Sequence, residues 1–231
     1  VAARGRDPWV FRCTLDGRPR VIVVALGQDL WAAYDATTCN VYKVWSGDIN
    51  LTGSVYDTRH GPQPKSVGTT LEVFGGSAQW QWLRQSQLSS WRDPAGTVDE
   101  QLPPAGPAFK GYGVIEDQLT LDYVLNIAAD SINEAYPAQT VRVRETPEVI
   151  DARTLRRSFE VEGLEVGVLR VQVANGVATV EQGGGDVVHI IEESRGSGDV
   201  FWIEINRNGS HVIDITWPDE REKTKSQEQT E

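Results

Sequence analysis

Apolar and polar residues alternate with a period of two along most of this chain. Leu119, Leu121, Tyr123, Leu125 and Ile127 fall on one side of a strand, with Thr120, Asp122 and Asn126 on the other. The same spacing returns at Val141 and Val143 against Arg142 and Arg144, then at Leu169, Val171 and Val173, at Phe201, Ile203 and Ile205, and at Ile213, Ile215 and Trp217. Each stretch predicts a half-buried strand. Asp16-Gly17, Asn175-Gly176 and Asn208-Gly209 each sit between two such stretches and predict tight hairpins, because type I′ turns need positive φ at both central residues. Helical periodicity is nearly absent; the best helical segment, residues 126–136, ends at Pro137. Many short strands with frequent turn signals predict an all-β fold, an antiparallel β-sandwich of jelly-roll-like type with little helix.

Two segments interrupt the pattern. Residues 92–107 are rich in Pro and Gly and read as a long surface loop or a connection between sheets. Residues 218–231 carry no apolar side chain beyond Pro218 and read as a polar, flexible tail. The remainder, 1–217, is expected to be a single sandwich domain, since all-β chains of 231 residues commonly fold as one. The glycine runs in "EQGGGD" and "ESRGSGD" read as loops. Gly183–Gly185 is no phosphate loop, because no Lys-Ser/Thr pair and no helix follow it.

Charge narrows the partners. A formal net charge of −11 opposes nucleic acid, whose phosphates call for clustered cations. Arg142, Arg144, Arg153, Arg156 and Arg157 interleave with Glu145, Glu148 and Asp151, which reads as a mixed solvated strand face. No apolar run reaches the roughly 18 residues of a membrane span, so the chain is not expected to be transmembrane. No signal peptide is visible and the chain starts at Val1, as expected after processing or trimming.

Cys13 and Cys39 fall on what read as nearby strands and form a candidate disulfide; their spacing equally allows two free thiols, and two isolated thiols make a poor metal site. There is no CxxCH, so no haem is attached through that motif, and no cofactor is expected. His189 and His211 lie within predicted strands and read as structural. His60 lies in a Gly/Pro loop, "TRHGPQP", where function tends to collect on a sheet scaffold.

A ligand site can be assembled around that loop, with Trp31, Trp45 and Tyr56 as stacking surfaces and Asp35, Asp57, His60 and Gln63 as hydrogen-bonding groups. Sugars present apolar C–H faces and dense hydroxyls, which this mixture of side chains suits. The alternative is that the aromatic side chains fill the core: "CNVYKVW" reads as a strand buried on both faces, and Trp80 and Trp82 point to one face. A glycosidase needs two carboxyl groups about 5–10 Å apart, and Asp35/Asp57 or Glu145/Glu148 carry no mark above other acidic pairs. No GxSxG elbow is present, and neither thiol has a marked general base.

The words "DPWVFR", "DLWAAYD", "VYKVWSG" and "HGPQP", continued by "VRVRETPEV" and "LRRSFEVEG", resemble a β-sandwich domain at the front of long extracytoplasmic proteins. Those proteins are similar to sugar-dehydrogenase propellers fused to c-type cytochrome segments. The resemblance spans roughly residues 7–163. It implies a periplasmic or secreted, non-catalytic binding or docking module, accessory to a redox or sugar-oxidising assembly. Its implied partner is another extracytoplasmic or membrane-bound redox protein. The alternative is a carbohydrate-binding or carbohydrate-active domain with its site near residues 56–64.

Overall fold

The structure, a computed structural model, describes residues 9–27, 29–53, 61–75, 79–83, 107–115, 118–129, 134–176, 178–195 and 198–218. In chain order the strands are β1 (Trp9–Leu15), β2 (Arg18–Gly27), β3 (Leu30–Asp35), β4 (Asn40–Asn50), β5 (Lys65–Val73), β6 (Trp80–Leu83), β7 (Pro107–Ile115) and β8 (Gln118–Ile127). They continue with β9 (Gln139–Asp151), β10 (Thr154–Glu162), β11 (Val168–Asn175), β12 (Thr179–Gly185), β13 (His189–Arg195), β14 (Gly198–Ile205) and β15 (Gly209–Thr216). All pairings among the described strands are antiparallel. Sheet I has the order β1-β2-β3-β4-β5, sheet II β12-β15-β10-β9-β8-β7, and sheet III β13-β14-β11-β6.

The protein is thus an all-β sandwich, as its alternation predicts, and no sheet closes into a barrel among the described residues. No helix occurs among the described residues, so none there is long and apolar enough to cross a membrane. Asn126 and Ile127, within the best helical segment, belong to β8; residues 130–133 lie outside the described set.

One core cluster draws on all three sheets. Leu119, Leu121, Tyr123, Leu125 and Ile127 of β8 meet Ile22, Val24 and Tyr34 of sheet I and Trp80, Trp82, Leu169 and Val171 of sheet III. Burying each such side chain stabilises by roughly 1.5–3 kcal/mol relative to exposure. A second cluster covers the opposite face of sheet I: Cys13, Leu15, Val21, Val23, Ala25, Trp31, Ala33, Trp45 and Ile49, with Trp9, Phe11 and Tyr42 packed on it. β3 is therefore buried on both faces, and so is the "VYKVW" part of β4, apart from its half-buried Tyr42 and Lys43.

Asp16-Gly17 makes the predicted hairpin between β1 and β2, with φ of 51° and 85° and Leu15 paired to Arg18. The two Asn-Gly turns depart from expectation. β11 belongs to sheet III and β12 to sheet II, and the same holds for β14 and β15, so Asn175-Gly176 and Asn208-Gly209 carry the chain between sheets. Side chains fix both crossings. Glu72 of β5 accepts the Asn175 backbone N–H at 2.9 Å and its Nδ2 at 3.0 Å, while Asn208 accepts the Leu164 N–H at 2.8 Å. "EQGGGD" is also corrected: Gly183–Gly185 ends strand β12, whose pairing with β15 shifts register between Gln182 and Gly184.

The candidate disulfide is not formed: Cys13 and Cys39 are both free and buried. Cys13 sits in the second cluster and Cys39 in the main core, so the thiols face opposite sides of sheet I. Strands β2 and β3 lie between β1 and β4, whose start Cys39 adjoins, and at about 4.8 Å per strand that is beyond the ~7 Å reach of a disulfide. Burial, with nearby carboxylates adding to it, pushes both thiols up to about 12.

Candidate functional site

Trp31 and Trp45 come together, but in the interior. They are cross-strand partners whose rings stack at 5.6 Å and 10°, both with 0% exposure. Trp31 donates to the Gly47 carbonyl and Trp45 to the Asp48 carbonyl, each at 2.9 Å, and Trp9 lies edge-on to Trp31. These rings present no open plane to a sugar.

Asp35, at the other end of β3, is also committed. It accepts Arg18 Nε at 2.6 Å, pairs with Arg18 Nη2, and accepts the Thr37 N–H at 2.6 Å, which shapes the turn into β4. Arg18 lies over the Tyr42 ring at 4.7 Å. Gln63 is half-buried, and its Nε2 has no hydrogen-bond partner among the described residues. Tyr56, Asp57 and His60 lie outside the described residues.

A polar cluster that sequence reasoning missed joins the three sheets. Glu145 on β9 and Arg157 on β10 are both 0% exposed. Arg157 donates to Glu145 through Nε at 2.7 Å and Nη2 at 3.1 Å, and Nη2 also reaches Asn40 Oδ1 at 2.6 Å. Tyr34 of sheet I and Tyr123 of β8 donate to the two carboxylate oxygens at 2.9 and 3.0 Å. Asn40 Nδ2 continues to the Gln172 carbonyl of sheet III at 3.0 Å. Burial pushes both phenols well above their ordinary value, and the Glu145 charge adds to it. Burial opposes the Arg157 charge, but Glu145 outweighs it and the guanidinium is held above its usual value.

With its lone pairs taken by four donors and no path to solvent, Glu145 serves as a structural anchor. The reading of Arg157 as part of a solvated face is therefore wrong, although it holds for exposed Arg142 and Arg144. Glu145 and Glu148 make no hydrolytic pair. Glu145 points into the core, while Glu148 accepts Gln118 Nε2 at 2.8 Å in an exposed contact. The buried pair did leave a signal: Glu145 continues the parity of Val141 and Val143, and Arg157 sits between Leu155 and Phe159 in step.

The outer face of sheet II is an open polar surface. Asp122, Arg144, Glu160 and Ser210 are successive cross-strand neighbours, with Arg144 Nε 3.0 Å from Asp122 Oδ1 and Nη1 3.9 Å from Glu160 Oε2. A parallel row runs through Glu148, Arg156, Asp214 and Glu181, with Arg156 binding Asp214 through two hydrogen bonds of 2.8 Å. Thr146 and Ser158 pair between the rows. Two shallow depressions of ≈ 320 and ≈ 310 Å³ lie here, the first lined by Lys110, Asp122, Arg142 and Glu162, the second by Thr120, Thr146, Ser158 and Ser210.

His189 is exposed at the start of β13, whereas His211 is buried, with Nε2 3.1 Å from the Arg207 carbonyl oxygen. Among the described residues no group of three or more His, Cys, Asp or Glu side chains is arranged to hold a metal ion. No protein-family model matches the chain, and no curated protein matches it in sequence.

Proposed function

We propose that this chain is a non-catalytic, extracytoplasmic docking module, accessory to a redox or sugar-oxidising assembly, and that the outer face of sheet II meets its partner. One contrast carries the reading. The stacked Trp31 and Trp45 are packed away in the interior, whereas among the described residues the six strands of sheet II present a broad polar face marked by two open depressions. Such a face suits a macromolecular surface better than a small ligand, which calls for a concave and mostly apolar pocket. The membership of a redox assembly and the periplasmic or secreted location rest on the resemblance of the "DPWVFR" to "HGPQP" words.

A second reading, a carbohydrate site at residues 56–64, is favoured by one observation: the buried Gln63 Nε2 lacks an acceptor among the described residues. The test for the pair is the native mass and visible absorption spectrum of the protein isolated gently from its source. A large assembly with haem absorption supports docking. A colourless species near 25.5 kDa overturns it, and sugar titration against Trp fluorescence then tests the second reading.

A further inference from the structure

Among the described residues β7 ends sheet II, and one side of its backbone pairs with no described strand. Its pairing with β8 shifts between Phe109 and Gly111, leaving Lys110 as the bulged residue. Beyond that bulge Tyr112 stands opposite Leu121 and Val114 opposite Leu119, and directly paired residues share a face. Leu119 and Leu121 are core residues, so Tyr112 and Val114 lie on the core side of the sheet; yet they are 44% and 50% exposed. The other side of this segment carries Gly111 and Gly113, next to Asp122 and Thr120, and no atom of the described residues lies within 4 Å of a Cβ added at Gly111. Glycines within a strand commonly mark the close approach of another backbone.

Three of the other five edges among the described strands are blunted as proteins blunt them. β13 carries Glu192 and Glu193, β6 is four residues long, and on β5 the exposed Val67 and Val73 pair with the charged Asp48 and Lys43. On β7 the blunting devices, Pro107 and bulged Lys110, sit before Gly111, and residues 111–115 contain neither charge nor proline.

We propose that residues 111–115 of β7 accept an extended segment of a partner protein as a seventh strand of sheet II. The inward alternation of that segment is apolar, against Tyr112 and Val114, and its outward alternation carries Lys or Arg, over Gly111 beside Asp122. The cationic choice follows from charge: at −11 the chain repels a second copy of itself and favours a basic partner. The inference rests on the docking reading and narrows it to one edge.

The test uses the full chain and two synthetic octapeptides, one alternating Lys and Val, the other Glu and Val, with amide hydrogen exchange as readout. At ten times its Kd the basic peptide slows exchange at residues 111–115 about tenfold, and Val114→Lys or Tyr112→Lys abolishes this without changing the far-UV spectrum. Unchanged exchange at millimolar peptide overturns the proposal, as does equal protection by the acidic peptide. Protection that tracks protein concentration also overturns it, since the occupant is then a second copy. Native mass reports on docking and exchange on the edge, so either can fail alone.

Discussion

Replacing Arg157 by Met removes the guanidinium that supplies two of the four hydrogen bonds to Glu145 and leaves a fully buried carboxylate held only by Tyr34 and Tyr123. Breaking a buried pair from one side costs about 3–5 kcal/mol, and Glu145→Leu, which strands the cation against Asn40, falls in the same range. For a chain of this size that is a fall in Tm of about 6–20 °C. The double variant removes both charges. What it strands is two phenol hydroxyls, because Asn40 Oδ1 still accepts the Val41 N–H at 2.8 Å, so its cost is about 2–3 kcal/mol rather than the sum of the singles. Adding Tyr34→Phe and Tyr123→Phe recovers part of that. Urea unfolding followed by Trp fluorescence measures each step, and Trp80, 6.4 Å from the Tyr123 ring, reports directly on the cluster. The differences persist in high salt, unlike that of the exposed Arg144–Asp122 pair, worth at most about 1 kcal/mol. Singles that cost under about 1 kcal/mol, or a double equal to their sum, refute the anchor role.

Gly47 has φ +134° and an added Cβ would run into the Val67 carbonyl oxygen, so Gly47→Ala costs more than about 2 kcal/mol; Gly176→Ala, at φ +66° in open space, costs about 1–2 kcal/mol, both read from urea midpoints. Burial opposes the Asp16 charge, but hydrogen bonds from Lys43 and Ser66 outweigh it and hold the carboxyl below its usual value. Its contribution is therefore present above the unfolded value of about 3.9 and is lost as pH falls through the lower native one, and Asp16→Asn flattens that acid limb. Glu72 has the opposite sign: burial raises its carboxyl despite the bonds from Asn175, so its contribution is full below about 4.3 and is lost as pH rises through the raised native value. Glu72→Gln removes that loss, and unchanged slopes in a pH series of unfolding midpoints refute either assignment. Cys13 and Cys39 resist a thiol reagent in the native protein and both react in urea, with no shift in stability on adding reductant; a native intramolecular disulfide by mass refutes the opposite-face placement.

Strand identity was legible because one-sided burial enforces a period of two: from Leu121 to Ile127 every second residue is buried and those between are half-buried or exposed. Sheet membership was not, and the Asn-Gly turns explain why. Such a dipeptide sets a local reversal of φ, but which strand the chain joins next depends on distant partners. Glu72 holds Asn175 from 103 positions away, and Leu164 holds Asn208 from 44. The same distance hid the anchor. Parity alone places Glu145 and Arg157 inward, yet reading two charges as core requires knowing that Tyr34, Asn40 and Tyr123 converge on them from other strands. Pro147 fits this geometry too: its nitrogen has no hydrogen to give, it pairs with Arg157 of β10, and the β8–β9 ladder runs no further than Glu145. Sequence therefore marked the aromatic stretch 31–45 as dense without telling platform from core, since a Trp in a strand buried on both faces and a Trp at a sugar site share one local pattern. What separates them is the sheet on the other side.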